Sequence, residues 1–262
     1  EYMDRLTPGK HFDLARIPVD DPDTLKLFQE GNTGAVFQFE SEGMRDQLRK
    51  AKPDCLEDLV ALNALYRPGP MDQIPHFIDR KFGREEVKYL DQRMEPILRE
   101  TYGIMVYQEQ VMLVARAIGG YSLGGADLLR RAMGKKNVEE MKRQRAVFIK
   151  GAAERNVDEK TATDIFNLME KFAGYGFNKS HAAAYSFVAW QTAYLKVHHP
   201  GPFFAGNLCL VMDQGEKMSV LINDAKECGV TFLPPDVNVS DWFFTVPDEH
   251  TIRMGMGSIK GM

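Results

Sequence analysis

Between Asp158 and Gly174 the apolar residues Ala162, Ile165, Phe166, Met169, Phe172 and Ala173 return every three or four positions, with Asp158 placed to cap the start and Gly174 to end it. That spacing lines one face of an α-helix and does not suit the two-residue period of a strand. The same capped and terminated pattern recurs along most of the chain. Asp21 followed by Pro22 opens a short helix through Leu25, Leu27 and Phe28 that Gly31 ends. Ser41 caps a helix to about residue 51, stopped ahead of Pro53, and another covers about 56–66. Arg67-Pro68-Gly69-Pro70 must then leave helical geometry, because each proline restricts the residue before it. Further helices are expected over 106–118, closed by Gly119-Gly120, over 125–133, ending at Gly134, and from an Asn137 cap to about 156. The rest are expected over 180–198, 203–211 and 215–228.

Strand-like texture is confined to short stretches. Residues 33–39 are β-branched and aromatic enough for a brief strand, and 230–233, 242–246 and 252–256 read similarly among Pro234-Pro235, Asp236 and Asn238. The expected fold is therefore mainly α, with a small mixed α/β C-terminal portion beginning near residue 213. No internal repeat or low-complexity tract suggests a solenoid.

With 262 residues and 44% hydrophobic content the chain can bury a sizeable core, which excludes disorder as a reading. Cys55, Cys209 and Cys228 form no CxxC pair, so neither a disulfide scaffold nor a zinc knuckle is suggested and a reducing cytoplasm is expected. No apolar run approaches the ~18 residues that span a bilayer. Glu1-Tyr2-Met3-Asp4-Arg5 does not resemble a signal peptide, and a start without methionine is expected of an excerpt from a longer chain. The net charge of −4 argues against a globally basic nucleic-acid binder. Residues 127–155 are the exception, with nine basic residues against four acidic ones.

Two clusters carry residue types unsuited to a core. In the first, Arg130 and Arg131 stand near the end of one expected helix, Gly134 permits a turn, and Lys135 and Lys136 precede the next helix, whose free N–H groups could take an anion. A polyphosphate would suit such a corner, and a solvated positive face at a helix C-terminus would explain it equally well. The second cluster is Tyr175-Gly176-Phe177-Asn178-Lys179-Ser180-His181, at the start of a long helix. Its aromatics can stack on a base or sugar and its polar groups gather at a positively polarised helix N-terminus. The plainer reading makes Ser180 the cap and Phe177 a hydrophobic staple. Glu109, in Tyr107-Gln108-Glu109-Gln110, invites a catalytic reading, although a glutamate at a helix start is more simply a dipole or capping partner. Arg67 could contact a phosphate. His76, His198 and His199 lack metal-site spacing, and the chain contains no Walker-type loop, GxSxG elbow or GxGxxG fingerprint.

Several stretches, in order and in register, resemble the C-family alpha subunit of bacterial replicative DNA polymerases. They are Gly34-Ala35-Val36-Phe37-Gln38-Phe39-Glu40-Ser41, Ala64-Leu65-Tyr66-Arg67-Pro68-Gly69-Pro70, Thr101-Tyr102-Gly103-Ile104 with Tyr107-Gln108-Glu109-Gln110-Val111-Met112, Ala126-Asp127 through Lys136, and Phe172-Ala173-Gly174 through His181. The resemblance covers residues 17–262. It implies the fingers region of a DNA-directed DNA polymerase, beginning shortly after a palm domain that carries the catalytic aspartates. Residues 1–40 would connect palm to fingers, 41–212 would form the helical fingers domain, and 213–262 a small mixed subdomain leading toward a helix-hairpin-helix and clamp-binding region.

The family implies Mg2+ on the palm, no cofactor or catalytic residue in this stretch, and no polymerisation by the stretch alone. Its implied partners are template-primer DNA, deoxynucleoside triphosphates, and a sliding clamp and other replisome subunits reached through the rest of the parent chain. Arg130, Arg131, Lys135 and Lys136, with Arg67 and Gln110 as neighbours, would contact nucleotide or DNA phosphates. Tyr175, Phe177, Asn178, Lys179 and His181 would face the nascent base pair or incoming nucleotide. A stand-alone, non-catalytic helical module that binds nucleic acid is the alternative from another functional class.

Overall fold

The computed structural model describes residues 2–6, 12–135, 138–173 and 175–261. Among them are thirteen α-helices: α1 (Tyr2–Leu6), α2 (Pro22–Glu30), α3 (Glu42–Ala51), α4 (Leu56–Leu65), α5 (Ile74–Lys81), α6 (Glu95–Leu98), α7 (Gln108–Gly119), α8 (Leu123–Lys135), α9 (Val138–Ala153), α10 (Glu159–Ala173), α11 (Lys179–His198), α12 (Pro200–Cys209) and α13 (Gly215–Glu227). Three short strands follow, β1 (Thr231–Leu233), β2 (Thr245–Asp248) and β3 (Thr251–Arg253). The mainly helical class with a small mixed C-terminal sheet is as the sequence pattern implies. The chain forms two compact units, Glu57–Ser186, and Glu1–Leu56 together with Phe187–Met262.

In the unit Glu57–Ser186, α7 packs against α8, α9 and α10 because each turns its apolar stripe inward. Val111, Val114, Ala115 and Ile118 of α7 meet Leu129, Phe148, Ile165 and Phe166 in a core with almost no exposure. Burying each such side chain is worth ~1.5–3 kcal/mol relative to leaving it in water. The α7–α9 approach depends on absent side chains. A Cβ on Gly151 would lie 2.0 Å from the Gly119 carbonyl oxygen, and one on Gly119 would lie 2.5 Å from the Phe148 ring. A buried ion pair is also present: Lys81 of α5 donates to Asp58 of α4, whose other oxygen accepts from the Tyr102 hydroxyl at 3.3 Å. The sequence pattern marks no helix between residues 70 and 100, where α5 and α6 lie. Two prolines conceal them: Pro75 and Pro96 stand in first turns, where no intrahelical N–H is required.

In the other unit, Asp21 caps α2 through Thr24 N at 2.8 Å and Gly31 ends it at φ 68°, while Ser41 caps α3. Residues 33–39, expected as a strand, form consecutive turns. Val36 N donates to Thr33 O, Phe39 N to Val36 O, and Ala35 and Gln38 take φ of 56° and 65°. The three-residue spacing of Val36 and Phe39 puts both into the core, which alternation could not do. Phe28 meets Phe39 edge-on at 5.4 Å and stacks on Trp190 at 6.1 Å by ring centroid. α11 ends at His198, ahead of Pro200, which stands at the first position of α12. The sheet has the order β1-β3-β2, with β1 parallel and β2 antiparallel to β3. Its Ile252, with Phe244 and Val230, packs on Phe203, Phe204 and Leu208 of α12 and Ala225 of α13.

Candidate functional site

The site is built in the unit Glu57–Ser186 around the loop that joins α10 to α11. Phe177 makes a parallel bridge to Tyr107: Phe177 N donates to Val106 O at 3.2 Å and Gln108 N donates to Phe177 O at 2.9 Å. The start of α7 and the start of α11 are thus fastened side by side. Gln110 secures that junction from within. Its Oε1 accepts from Val106 N and Tyr107 N, its Nε2 donates to Thr101 Oγ1 at 2.9 Å, and the residue is 2% exposed. Gln110 therefore fixes the start of α7, to which Phe177 bridges, and presents no polar edge outward.

Glu109 has a similar role toward a different helix. Its carboxylate accepts from Lys179 N and from Asn178 Nδ2, both at 2.9 Å, so it caps α11 from across the junction. Asn178, not Ser180, is the N-cap of α11, with Oδ1 accepting from His181 N at 2.8 Å; Ser180 lies within the first turn. Two backbone donors at the start of α11, Lys179 N and His181 N, are hence already bound, and the anion-seeking groups here are side chains.

Those side chains converge. Lys179 Nζ meets both Glu100 oxygens at 2.7 and 2.8 Å and stands 5.5 Å above the Tyr107 ring, whose phenol is pushed up by burial. The Arg67 guanidinium lies 3.9 Å from the Phe177 ring centroid and donates to Ala64 O and Tyr175 O. Burial pulls its pKa down, yet an arginine stays charged. Tyr175 is half exposed, and its ring occupies the space above Gly69, where a Cβ would come within 2.3 Å of it. Gly69 also holds φ 106°, which a side chain would strain. From Phe177 the aromatic line continues along α11 to His181 at 5.2 Å and on to Tyr185, 4.1 Å beyond.

One of the two arginines on α8 reaches the same loop. Arg130 binds Asp127 through Nε and Nη2 at 3.0 and 2.8 Å, and Arg131 reaches the other Asp127 oxygen at 2.8 Å. Arg130, with the charge of Arg131 beside it, holds the Asp127 carboxyl below the usual aspartate range. Arg130 Nη1 also donates to Gln108 Oε1 at 3.2 Å, and Gln108 Nε2 donates to Gly176 O at 2.9 Å. Gly134 makes no turn, since α8 continues through Lys135. Lys136 and the expected Asn137 cap lie outside the described residues, as does Gly174. Much of the basic surplus of 127–155 is matched locally: Glu139 pairs with Lys142, Glu140 with Arg143, and Glu170 of α10 with Arg145.

Gln108, Asp127, Glu100 and Tyr185 were not singled out from sequence. Tyr185 follows His181 by four residues and Phe177 by eight, a spacing that could have revealed it; Glu100 carries no such signal. The carboxylates here do not suit a divalent ion. Asp127 is taken by two guanidiniums, Glu100 by an ammonium and Glu109 by a helix N-terminus. Cations backed by a flat aromatic edge favour an anionic ligand that carries a planar ring.

Residues 2–156 match the bacterial DNA polymerase III alpha subunit finger domain, and residues 229–262 match a helix-hairpin-helix motif. In this structure the second stretch holds β1–β3 and a 3-10 turn at Met256–Ser258. The chain is 51% identical over 255 residues to the DNA polymerase III subunit alpha of Neisseria meningitidis, covering 97% of this chain and 22% of that one. It is 54% identical over 251 residues to that of Xylella fastidiosa (95% and 21%) and 49% identical over 257 residues to that of Escherichia coli (95% and 22%). The chain thus spans about a fifth of the length of these relatives. No described helix is long and apolar enough to cross a membrane. On the match over residues 2–156 and the identity along nearly its whole length, the chain belongs to the finger-domain family of the bacterial DNA polymerase III alpha subunit.

Proposed function

We propose that this chain serves as the fingers of a cytoplasmic bacterial DNA-directed DNA polymerase, binding the incoming deoxynucleoside triphosphate and the template-primer during replication. One observation carries the reading: Arg67 directly, and Arg130 through Gln108, are tied to the Tyr175–Asn178 loop, with Arg131 sharing Asp127 with Arg130 and Lys179 directly following Asn178, all within one compact unit. Arg130, Arg131, Lys179 and, by their chain position, Lys135 and Lys136 neutralise phosphate. Tyr175, Phe177 and His181 supply faces for a base or sugar. Charge-assisted contacts to a triphosphate stabilise the charge that builds on its leaving oxygens. Such contacts also tolerate any template, because phosphates carry no base code. Mg2+ bound to palm carboxylates elsewhere in the parent chain would activate the primer hydroxyl and support the leaving pyrophosphate.

In the full-length polymerase, Arg131→Ala and Lys179→Ala are each expected to weaken kcat/KM for nucleotide by roughly 1–3 kcal/mol, the scale of one charge-assisted contact. Steady-state kinetics on primed DNA measures this, and unchanged values in both variants would sink the assignment. Toward the C-terminus, the match at 229–262 favours a second role, as the lead into a helix-hairpin-helix region beyond which the parent chain reaches a sliding clamp and other replisome subunits.

A further inference from the structure

We propose that Gln108 is a positioning residue for nucleotide incorporation, its single side-chain amide locking the Arg130 guanidinium to the loop that carries Tyr175 and Phe177. The inference rests on the reading of Arg130 as a phosphate contact. It deepens that reading by joining two clusters that are 22 and 68 residues from Gln108 in sequence.

An amide offers an acceptor and a donor on one planar group, and Gln108 uses each toward a different element. Oε1 takes Arg130 Nη1 at 3.2 Å and Nε2 gives to Gly176 O at 2.9 Å. The backbone of the same residue donates to Phe177 O at 2.9 Å, so the loop is held at two consecutive carbonyls. Asp127 already binds Arg130 along its Nε–Nη2 edge, and a contact at Nη1 in addition sets the rotation of the guanidinium plane. Gly176 is matched to this arrangement, since a Cβ there would stand 3.2 Å from Gln108 Cγ and the neighbour would have to yield. Neither charge type can replace the amide. A carboxylate at this position would keep the arginine but turn an acceptor against the Gly176 carbonyl, whereas a lysine would do the reverse.

Preorganisation of this kind acts on binding geometry, and a guanidinium held in one plane loses less freedom when it meets phosphate. The test is steady-state kinetics of the full-length polymerase bearing Gln108→Ala, Gln108→Glu, Arg130→Ala and the Gln108→Ala/Arg130→Ala pair, with thermal melting of each. Gln108→Ala is expected to raise KM for nucleotide by about 3- to 10-fold, the scale of one ordinary net hydrogen bond, with a smaller change in kcat and little change in melting. The double variant is expected to be no worse than Arg130→Ala alone, since Gln108 acts through that arginine. Gln108→Glu, which keeps the side-chain size, is expected to resemble Gln108→Ala and provides the same reading if the alanine variant folds poorly. Wild-type KM in both Gln108 variants beside an impaired Arg130→Ala would overturn the inference and leave the nucleotide reading standing. Additive losses in the double variant would also overturn it. An unimpaired Arg130→Ala would remove the reading beneath it.

Discussion

Lys179 and Lys196 lie on the same helix, and each holds a carboxylate at 2.7 Å, yet the surroundings give the two pairs different work. Lys196 is 1% exposed; it donates to both Asp224 oxygens and to the carbonyls of Asn32 and Gly34, at 2.7–3.0 Å, with the Phe204 ring 5.5 Å away. Its ammonium is saturated, and it ties the turns after α2 to α13. The Lys179 ammonium is 41% exposed at the side chain and pairs with Glu100 in contact with water. A partner that can be exchanged suits a residue that must meet a ligand, while a saturated buried charge suits one that must hold a fold. Charge and distance alone therefore do not separate a structural lysine from a binding one.

The comparison breaks first, and most visibly, at Lys196→Met. Removing the buried member of the pair leaves Asp224 uncompensated, and denaturant unfolding should show a loss of up to about 3–5 kcal/mol, less to the extent that water reaches the 21%-exposed Asp224 side chain. A loss near zero would mean that water reaches Asp224 readily and that the two lysines differ less than their exposure suggests. Lys179→Ala sharpens the contrast from the other side. Although expected to impair nucleotide use, it should alter unfolding stability by only about 0–1 kcal/mol, as an exposed pair does. A larger loss would make Lys179 a structural residue too.

The smallest expected effect is with pH. Asp127 titrates below its ordinary value because Arg130 and Arg131 favour its charged form, so its contribution is complete above the unfolded aspartate pKa and is lost as pH falls through the lower folded value. Between about pH 5 and 8 the Asp127 clamp should stay ionised and leave nucleotide KM flat. A rise in KM on acidification within that window, removed by Asp127→Asn, would contradict the pairing.

Much of the candidate site was legible in local sequence. The Tyr175–His181 cluster and the Arg130–Arg131 pair declared themselves by carrying polar and cationic groups at helix ends. What the sequence concealed was which of these groups already had partners. Glu109 read as a dipole or capping partner and is one, but the helix it caps is α11, 70 residues on. Gln110 read as a phosphate neighbour and is buried in a backbone-capping role. Gly134 read as a breaker and sits inside α8, because one glycine costs a helix only ~1 kcal/mol, which packing of Ala132 and Met133 can offset.

Periodicity and capping, which act over a few residues, determined from the sequence alone that the chain is helical, where most helices begin and end, and that its cationic and aromatic clusters stand at helix termini. The turns at 33–39, the Gly119–Gly151 contact and the link from Arg130 through Gln108 to Gly176 were decided only by tertiary structure. Each depends on groups far apart in the chain competing for the same donors, acceptors or space, and local spacing carries no record of that competition.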